Sequence, residues 1–134
     1  MDLSKPEIEE RVMEALAAVG MEGFADRSSH LLSFGEKKRI ATATVLAMRP
    51  DILVLDEPTS NLDPKARRQL INILAGLSVT KVVVTHDLPV AYEMCTRAVI
   101  LSKGRVAADG PIGEIFANSA LLEANDLELP YRFL

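Results

Sequence analysis

The sequence contains one cysteine, no tryptophan and only 4% aromatic residues. The single cysteine, Cys95, cannot form an internal disulfide or a cysteine metal cluster, which is typical of a reducing compartment. No apolar stretch approaches the ~18 residues that a membrane-spanning helix needs. The first residues lack the basic start and apolar run of a signal peptide. Basic residues are also outnumbered, with a formal charge of −4, which argues against a nucleic-acid partner. These absences predict a cytoplasmic protein.

A glycine-rich loop that ends in Gly-Lys-Ser or Gly-Lys-Thr is missing as well. The sequence has seven glycines, and none of them is followed by lysine. Such a loop holds nucleotide phosphates with its backbone N–H groups and its lysine. We therefore expect this chain alone to be inactive toward nucleotides.

The residues that are present predict an α/β domain. With 134 residues and 49% hydrophobic content, the chain is long enough for one domain with a buried core. Apolar spacing, capping residues and turn residues predict helices and strands along most of the chain. Ser4 and Glu7 have the spacing of a capping box at the start of the first helix. The apolar stripes predicted to be buried are Ile8, Val12, Leu16 and Val19 in the first helix and Leu70, Ile73 and Leu74 in the third. We predict helices over residues 4–19, 33–48, 63–76, 88–94 and 110–116, strands over 52–55, 82–85, 98–101 and 105–108, a loop over 23–30, and an extended or partly helical tail over 118–134.

Two of the predicted strands are unbroken apolar runs. Residues 52–55 (ILVL) and 82–85 (VVVT) flank the helix that starts with Asp63 as N-cap and Pro64 as its first residue. Such runs are typical of strands buried on both faces of a parallel sheet. The order strand, helix, strand predicts a right-handed crossover.

The start of the second helix is a candidate anion site. Ser33 supplies a hydroxyl, Gly35 permits close approach of the backbone, and the free N–H groups of a helix start attract a phosphate. The spacing of Ser33 and Glu36 also fits a simple capping box. By themselves these residues leave both interpretations open.

Polar side chains follow the two apolar strands directly. Asp56 and Glu57 come after the first strand, at the edge where open α/β sheets bind ligands. One carboxylate can hold Mg²⁺ and the other can orient a water molecule, although both can also simply end the strand. His86 follows the second strand and can contact a phosphate there, but a lone histidine is more often structural. His30 lies in the predicted loop and is interpreted as structural.

Four sequence segments that contain these residues follow one another in the order known from a single protein family. LSFGE (32–36), ILVLDEP (52–58), SNLD (60–63) and VVVTHD (82–87) resemble the signature motif, Walker B strand, D-loop and switch histidine of ATP-binding-cassette ATPases. The signature departs from the common LSGGQ, since Phe34 replaces the first glycine and Glu36 the glutamine. The resemblance implies a P-loop NTPase fold with parallel strands, crossover helices and part of a helical signature subdomain.

The resemblance also implies roles for residues that would face the ATP bound by a partner subunit. Ser33 and Gly35 would contact the γ-phosphate of ATP held by a partner subunit, with Glu36 beside them. Asp63 would signal across the dimer.

For the ATP site of the chain's own subunit, the resemblance implies that Asp56 helps to place Mg²⁺ and that Glu57 polarises the attacking water. His86 would contact the γ-phosphate. Both ATP and Mg²⁺ are expected only in a complete cassette.

The end of the chain narrows the implied function. Residues 105–130, with GxxxEIF and a late LELP, resemble the end of cobalt, nickel or energy-coupling-factor importer ATPases. This implies an ATP-binding subunit on the cytoplasmic face of a membrane, with transmembrane transporter subunits as partners and a metal ion or vitamin as cargo.

The resemblance covers only the second half of a cassette. We expect residues 1–50 to form the helical signature part, 51–110 the sheet from Walker B to the switch histidine, and 111–134 a tail. Strands of the missing half would neighbour the two apolar strands, so uncovered apolar surface is expected. We therefore predict self-association, or association with an N-terminal half or a second ATPase subunit.

Two other functions stay open. The chain can be a truncated, non-catalytic interaction module that keeps the half-domain fold. It can also be the C-terminal lobe of a chromosome-maintenance or DNA-repair ATPase, although the acidic charge and the lack of sustained heptads before the signature favour the transporter.

Overall fold

The computed structural model describes residues 3–128. In chain order the elements are α1 (Lys5–Ala18), α2 (Phe34–Leu46), β1 (Ile52–Asp56), α3 (Pro64–Gly76), β2 (Thr80–Val84), α4 (Leu88–Met94), β3 (Arg97–Ser102), β4 (Arg105–Pro111), α5 (Ile112–Ala117) and α6 (Ser119–Glu123), with short 3₁₀ turns at Glu22–Phe24 and Ser29–Leu31. Strands β1 and β2 are neighbours in one two-stranded sheet, and β3 and β4 form another. The contacts divide the chain into two compact units, Met1–Val82 and Val83–Leu134, which are described separately.

Helix α1 begins with the predicted capping box. The backbone N–H of Ser4 donates to a carboxylate oxygen of Glu7 at 2.8 Å. Only the C-terminal half of the helix is buried, where Leu16 packs in a cluster with Ala43 of α2. The prediction that Ile8 and Val12 also lie on the covered stripe is wrong, because 48% and 39% of their surfaces are exposed.

Strand β1 is buried on one face only. Leu53 is 2% exposed, whereas Ile52 and Val54 are 57% and 65% exposed. Val82 of β2 is also exposed, at 47%. The prediction that these strands are buried on both faces is therefore wrong for this chain. The apolar run is suited to burial on both sides, but within residues 3–128 only one side of β1 is covered, which agrees with the uncovered apolar surface expected for half of a cassette.

Helix α3 begins at the predicted residue, and two of its three predicted stripe residues are buried. Pro64 is its first residue after the N-cap Asp63, and Leu70, Ile71 and Leu74 are its buried residues. Ile71 was missed by the predicted stripe, which contained Ile73 instead.

The second unit is built around the antiparallel hairpin of β3 and β4. Pairing runs from Arg97 opposite Pro111 to Ser102 opposite Arg105, with a bulge between Ile100 and Leu101. Ile100 faces a core that includes Leu88, Ile112 and Phe116.

An ion pair joins the open end of this hairpin. Two guanidinium nitrogens of Arg97 donate to the two carboxylate oxygens of Asp109 at 2.8 and 2.7 Å. These hydrogen bonds lower the pKa of Asp109 and raise that of Arg97. Both side chains are exposed, so water screens the pair and limits its effect on stability.

The helix predicted to open at Gly110 begins later. Gly110 and Pro111 still pair with Ala98 and Arg97 in the hairpin, so α5 starts at Ile112. Long-range pairing therefore overrides the local helix-start signal of the Gly-Pro pair.

The predicted tail contains a further short helix. Asn118 caps α6 by accepting a hydrogen bond from the backbone N–H of Leu121 at 3.0 Å. The LELP segment is only partly covered, because Leu129 and Pro130 lie outside the described residues. Among residues 3–128, no helix is long and apolar enough to span a membrane.

Candidate functional site

The start of α2 holds Ser33 and Glu36 in a capping box. The Ser33 backbone N–H donates to a carboxylate oxygen of Glu36 at 2.8 Å, and the Glu36 backbone N–H donates to the Ser33 hydroxyl at 3.3 Å. Hydrogen bonds from the hydroxyl and backbone N–H of Ser33 lower the pKa of Glu36. The capping interpretation is thus confirmed. The phosphate contact of these residues stays a prediction, and the exposed position of Ser33 is compatible with it.

Gly35 lies at a close approach of α2 to α3. A Cβ atom at this position would be 3.1 Å from the Ala66 Cβ and 3.9 Å from a methyl group of Leu62. The first distance is tighter than an ordinary van der Waals contact between carbon atoms. The structure therefore gives Gly35 a packing role that sequence reasoning, which considered only the approach of a phosphate, had missed.

Enlarging Gly35 should destabilise this contact. We expect Gly35→Val to lower the free energy of unfolding by about 1–3 kcal/mol through overpacking, as measured by urea denaturation. Ala66→Gly removes the opposing methyl group, so the loss caused by Gly35→Val should be smaller in an Ala66→Gly background. Equal losses in both backgrounds would show that the Ala66 contact is not the cause.

The segment after β1 is a tight turn, and the two predicted carboxylates lie where the strand meets this turn. Asp56 is exposed and Glu57 is half-buried. Glu57 has a φ of 42°, in the left-handed region that non-glycine residues seldom adopt. Its carbonyl oxygen accepts from the backbone N–H of Ser60 at 3.2 Å and from the Ser60 hydroxyl at 2.9 Å.

Lys38 of α2 reaches into the same turn. Its ammonium donates to the Glu57 carbonyl at 3.0 Å, the Pro58 carbonyl at 2.8 Å and the Ser60 hydroxyl at 3.0 Å. Burial lowers the pKa of Lys38, and the negative charge of Glu57 partly opposes this shift.

Lys38 is not among the site residues predicted from the sequence. It stands in a run of three basic residues, which is usually a solvated face. A signal was nevertheless present, because Gly35, Lys38 and Thr42 are spaced three and four apart and so share one face of the helix. Thr42 is buried.

Asp63 acts as the N-cap of α3. Its carboxylate accepts from the backbone N–H groups of Lys65 and Ala66, both at 3.0 Å. The predicted cap is confirmed, whereas signalling across a dimer stays a prediction.

His86 belongs to the second unit, where it follows β2 and is exposed. The next residue, Asp87, caps α4 by accepting from the backbone N–H of Val90 at 3.2 Å. The prediction that His86 shares a sheet edge with Asp56 and Glu57 stays a prediction. The first unit therefore contains six of the seven predicted site residues: Ser33, Gly35, Glu36, Asp56, Glu57 and Asp63.

The carboxylates suit a magnesium ion that is held together with a nucleotide. Over residues 3–128, no group of three or more His, Cys, Asp or Glu side chains is arranged to hold a metal by itself. Mg²⁺, however, usually takes one or two carboxylates and completes its shell with water and phosphate oxygens. Asp56 and Glu57 offer this kind of donor set.

The chain resembles known proteins over nearly its whole length. The family model described as "ABC transporter" matches residues 2–60. A putative ABC transporter ATP-binding protein of Streptomyces avermitilis is 56% identical over 131 residues, which are 98% of this chain and 50% of that protein. The chain belongs to the ATP-binding-cassette transporter ATPase family. An energy-coupling factor transporter ATP-binding protein, EcfA, of Methanothermobacter thermautotrophicus is 43% identical over 133 residues, covering 97% of the cassette chain and 43% of EcfA.

Solved structures confirm the α/β fold of this chain. The structure of cbiO1 from Clostridium perfringens, described as part of the ABC transporter complex cbiONQ, matches with a TM-score of 0.79 and 37% identity, covering 99% of this chain and 55% of cbiO1. The ATP-binding cassette MJ1267 matches with the same TM-score of 0.79 at 20% identity, covering 94% of this chain and 52% of MJ1267, and this likeness concerns the fold alone. The cassette chain spans about half the length of the relatives that it matches.

Proposed function

We propose that this chain is one half of the ATP-binding subunit of an ABC transporter. It supplies the signature helix α2 and the two carboxylates at the end of β1, and another polypeptide segment supplies the loop that binds the phosphates. One observation supports this proposal most directly. Lys38 of α2 donates hydrogen bonds to residues 57–60, so the signature helix is held against the turn that follows β1.

The two carboxylates have different tasks in this proposal. Asp56 would hold Mg²⁺, which neutralises phosphate charge when it is bound with ATP. Glu57 orients a water molecule toward the terminal phosphate and accepts its proton, as a general base does. The role proposed for His86 is a contact with the γ-phosphate.

The signature residues face the nucleotide of a partner subunit. Ser33 offers its exposed hydroxyl, and Gly35 and Glu36 form the helix start, where free N–H groups and the helix dipole favour an anion. Asp63 fixes the first turn of α3 and so places the segment that meets the partner.

The cargo proposed from the sequence is a metal ion such as cobalt or nickel, or a vitamin. The resemblance of residues 105–130 supports this, as do the relatives named as an energy-coupling factor ATPase and as part of cbiONQ. Transmembrane transporter subunits are the partners that this function requires.

The missing half would also cover apolar surface. Ile52, Val54 and Val82 lie on strands and are about half or more exposed, although their β-branched side chains suit a buried sheet. We propose that the other half of the cassette, or a second copy of this chain in its absence, packs against these side chains.

A chimera tests this function. The chain would replace the 131 aligned residues of the Streptomyces avermitilis relative, whose remaining half is predicted to carry the glycine-rich loop. We expect calorimetry to detect Mg·ATP binding to the chimera and not to the chain alone, and we expect Mg²⁺-dependent ATP hydrolysis only in the chimera. Sedimentation should show self-association of the chain alone.

Two results would contradict the proposal. Tight binding of Mg·ATP by the chain alone would mean that its described site grips phosphate without a second half. A folded chimera that binds Mg·ATP but never hydrolyses it would favour the non-catalytic interaction module.

A further inference from the structure

The turn after β1 has a backbone conformation that needs support. Glu57 has a φ of 42° and Asn61 a φ of 59°, so two non-glycine residues within five positions adopt the left-handed region. Such conformations persist when surrounding contacts hold them, and they cluster at functional sites. If Glu57 left this region, its carboxylate would point elsewhere.

The hydrogen bonds of the turn converge on Lys38. An ammonium group has three protons, and three acceptors surround it: the carbonyl oxygens of Glu57 and Pro58 and the hydroxyl of Ser60, all within 3.0 Å. Because the Ser60 hydroxyl itself donates to the Glu57 carbonyl, Lys38 and Ser60 both bind the same carbonyl oxygen.

The surroundings shield this arrangement from water in part. Pro58 and Thr59 are buried, and Lys38 is half-buried with a lowered pKa caused by burial. Charge-assisted hydrogen bonds are stronger than neutral ones, and more so where water is excluded. Lys38 also lies 5.7 Å from the centre of the Phe34 ring, within the range of a cation–π contact.

We propose that Lys38 is a positioning residue for the hydrolytic carboxylate. Its ammonium holds the turn of residues 57–60 in its left-handed conformation and so aims the Glu57 side chain, while the helix that carries Lys38 begins at the signature residues. A nucleotide contact at the start of α2 is therefore linked mechanically to the direction of Glu57. This inference rests on the proposed function, because it assigns to Glu57 the role given there.

The geometry can be tested on the chain itself. Lys38→Met keeps the length of the side chain and helix propensity but removes the three hydrogen bonds. We expect the Ser60 amide proton to exchange with deuterium about tenfold faster or more, as the loss of charge-assisted bonds implies. Lys37→Met, at the exposed neighbouring position, should leave this rate unchanged. Equal exchange rates in the Lys38→Met and Lys37→Met variants would overturn the proposal.

The functional part is tested by ATP hydrolysis in the chimera. We expect Lys38→Met to lower kcat about 10- to 100-fold, the effect of a misplaced catalytic group, with little change in KM for ATP. Lys38→Arg, which keeps the charge and several donors, should recover part of the loss. In a Glu57→Gln background, Lys38→Met should cause almost no further loss, because a residue that acts through Glu57 has nothing left to position.

The outcomes separate this inference from the proposed function. If Glu57→Gln abolishes turnover but Lys38→Met leaves kcat intact, or if the two losses multiply, Lys38 does not act through Glu57 and only the inference fails. If the chimera without substitutions is inactive, or if Glu57→Gln has no effect, the proposed function fails and the inference falls with it.

Discussion

Glu57→Gln is expected to lower the kcat of ATP hydrolysis by the chimera by about 10²- to 10⁴-fold, the usual contribution of a positioned general base. Glutamine has nearly the same shape as glutamate but cannot accept the proton of the attacking water. The backbone of the turn should stay in place, since Lys38 and Ser60 bind the Glu57 carbonyl and not its side chain. Binding of Mg·ATP should therefore persist while turnover is lost, which calorimetry and a phosphate-release assay measure together.

The control for this experiment is the same substitution at a glutamate that lies in the second unit. Glu123 lies exposed in α6 of the second unit, so Glu123→Gln makes the same chemical change away from the site and should leave kcat within about twofold. A small effect of Glu57→Gln in a chimera that hydrolyses ATP would assign the base to another group, with Asp56 and His86 as the next candidates.

Leu74→Ala is expected to lower the free energy of unfolding of the chain by about 2–5 kcal/mol, the range for removing a buried leucine side chain. Leu74 is 0% exposed and lies on the inner face of α3. This helix begins at the Asp63 cap and carries Ala66, which faces Gly35. A loss of this size is a large part of the stability of a small domain, so the turn and the start of α2 should loosen together with α3.

Urea denaturation followed by circular dichroism measures this loss. Asn72→Ala, on the exposed side of the same helix, tests whether any change in α3 has the same result, and we expect a shift within about 0.5 kcal/mol. If Leu74→Ala cost no more than Asn72→Ala, the packing of α3 would not be the source of stability in the first unit.

The sequence by itself determined where three of the helices begin. Ser4, Ser33 and Asp63 were predicted as N-caps, and each of them precedes the first residue of a helix in the structure. Capping involves groups no more than about four residues apart, so the information is contained in a short window. The strands were found for a similar reason, because apolar runs between turn residues are local signals.

The sequence also identified the family, through four motifs whose order and spacing are specific. The roles of the individual residues in those motifs stay predictions. The physical reason is that a phosphate or magnesium contact involves groups outside this chain, and a motif names the residue without showing the contact.

Only the tertiary structure decided how the site is held together. Lys38 and the carbonyl of Glu57 are 19 residues apart in sequence, and Gly35 and Ala66 meet across two helices. Pairing across the hairpin moved the start of α5 from Gly110 to Ile112. Local preference fixes an element, but burial and contact depend on which distant segment lies against it. The exposed side chains of Ile52 and Val54 show the same rule, because an apolar run predicts burial only where another part of the fold covers it.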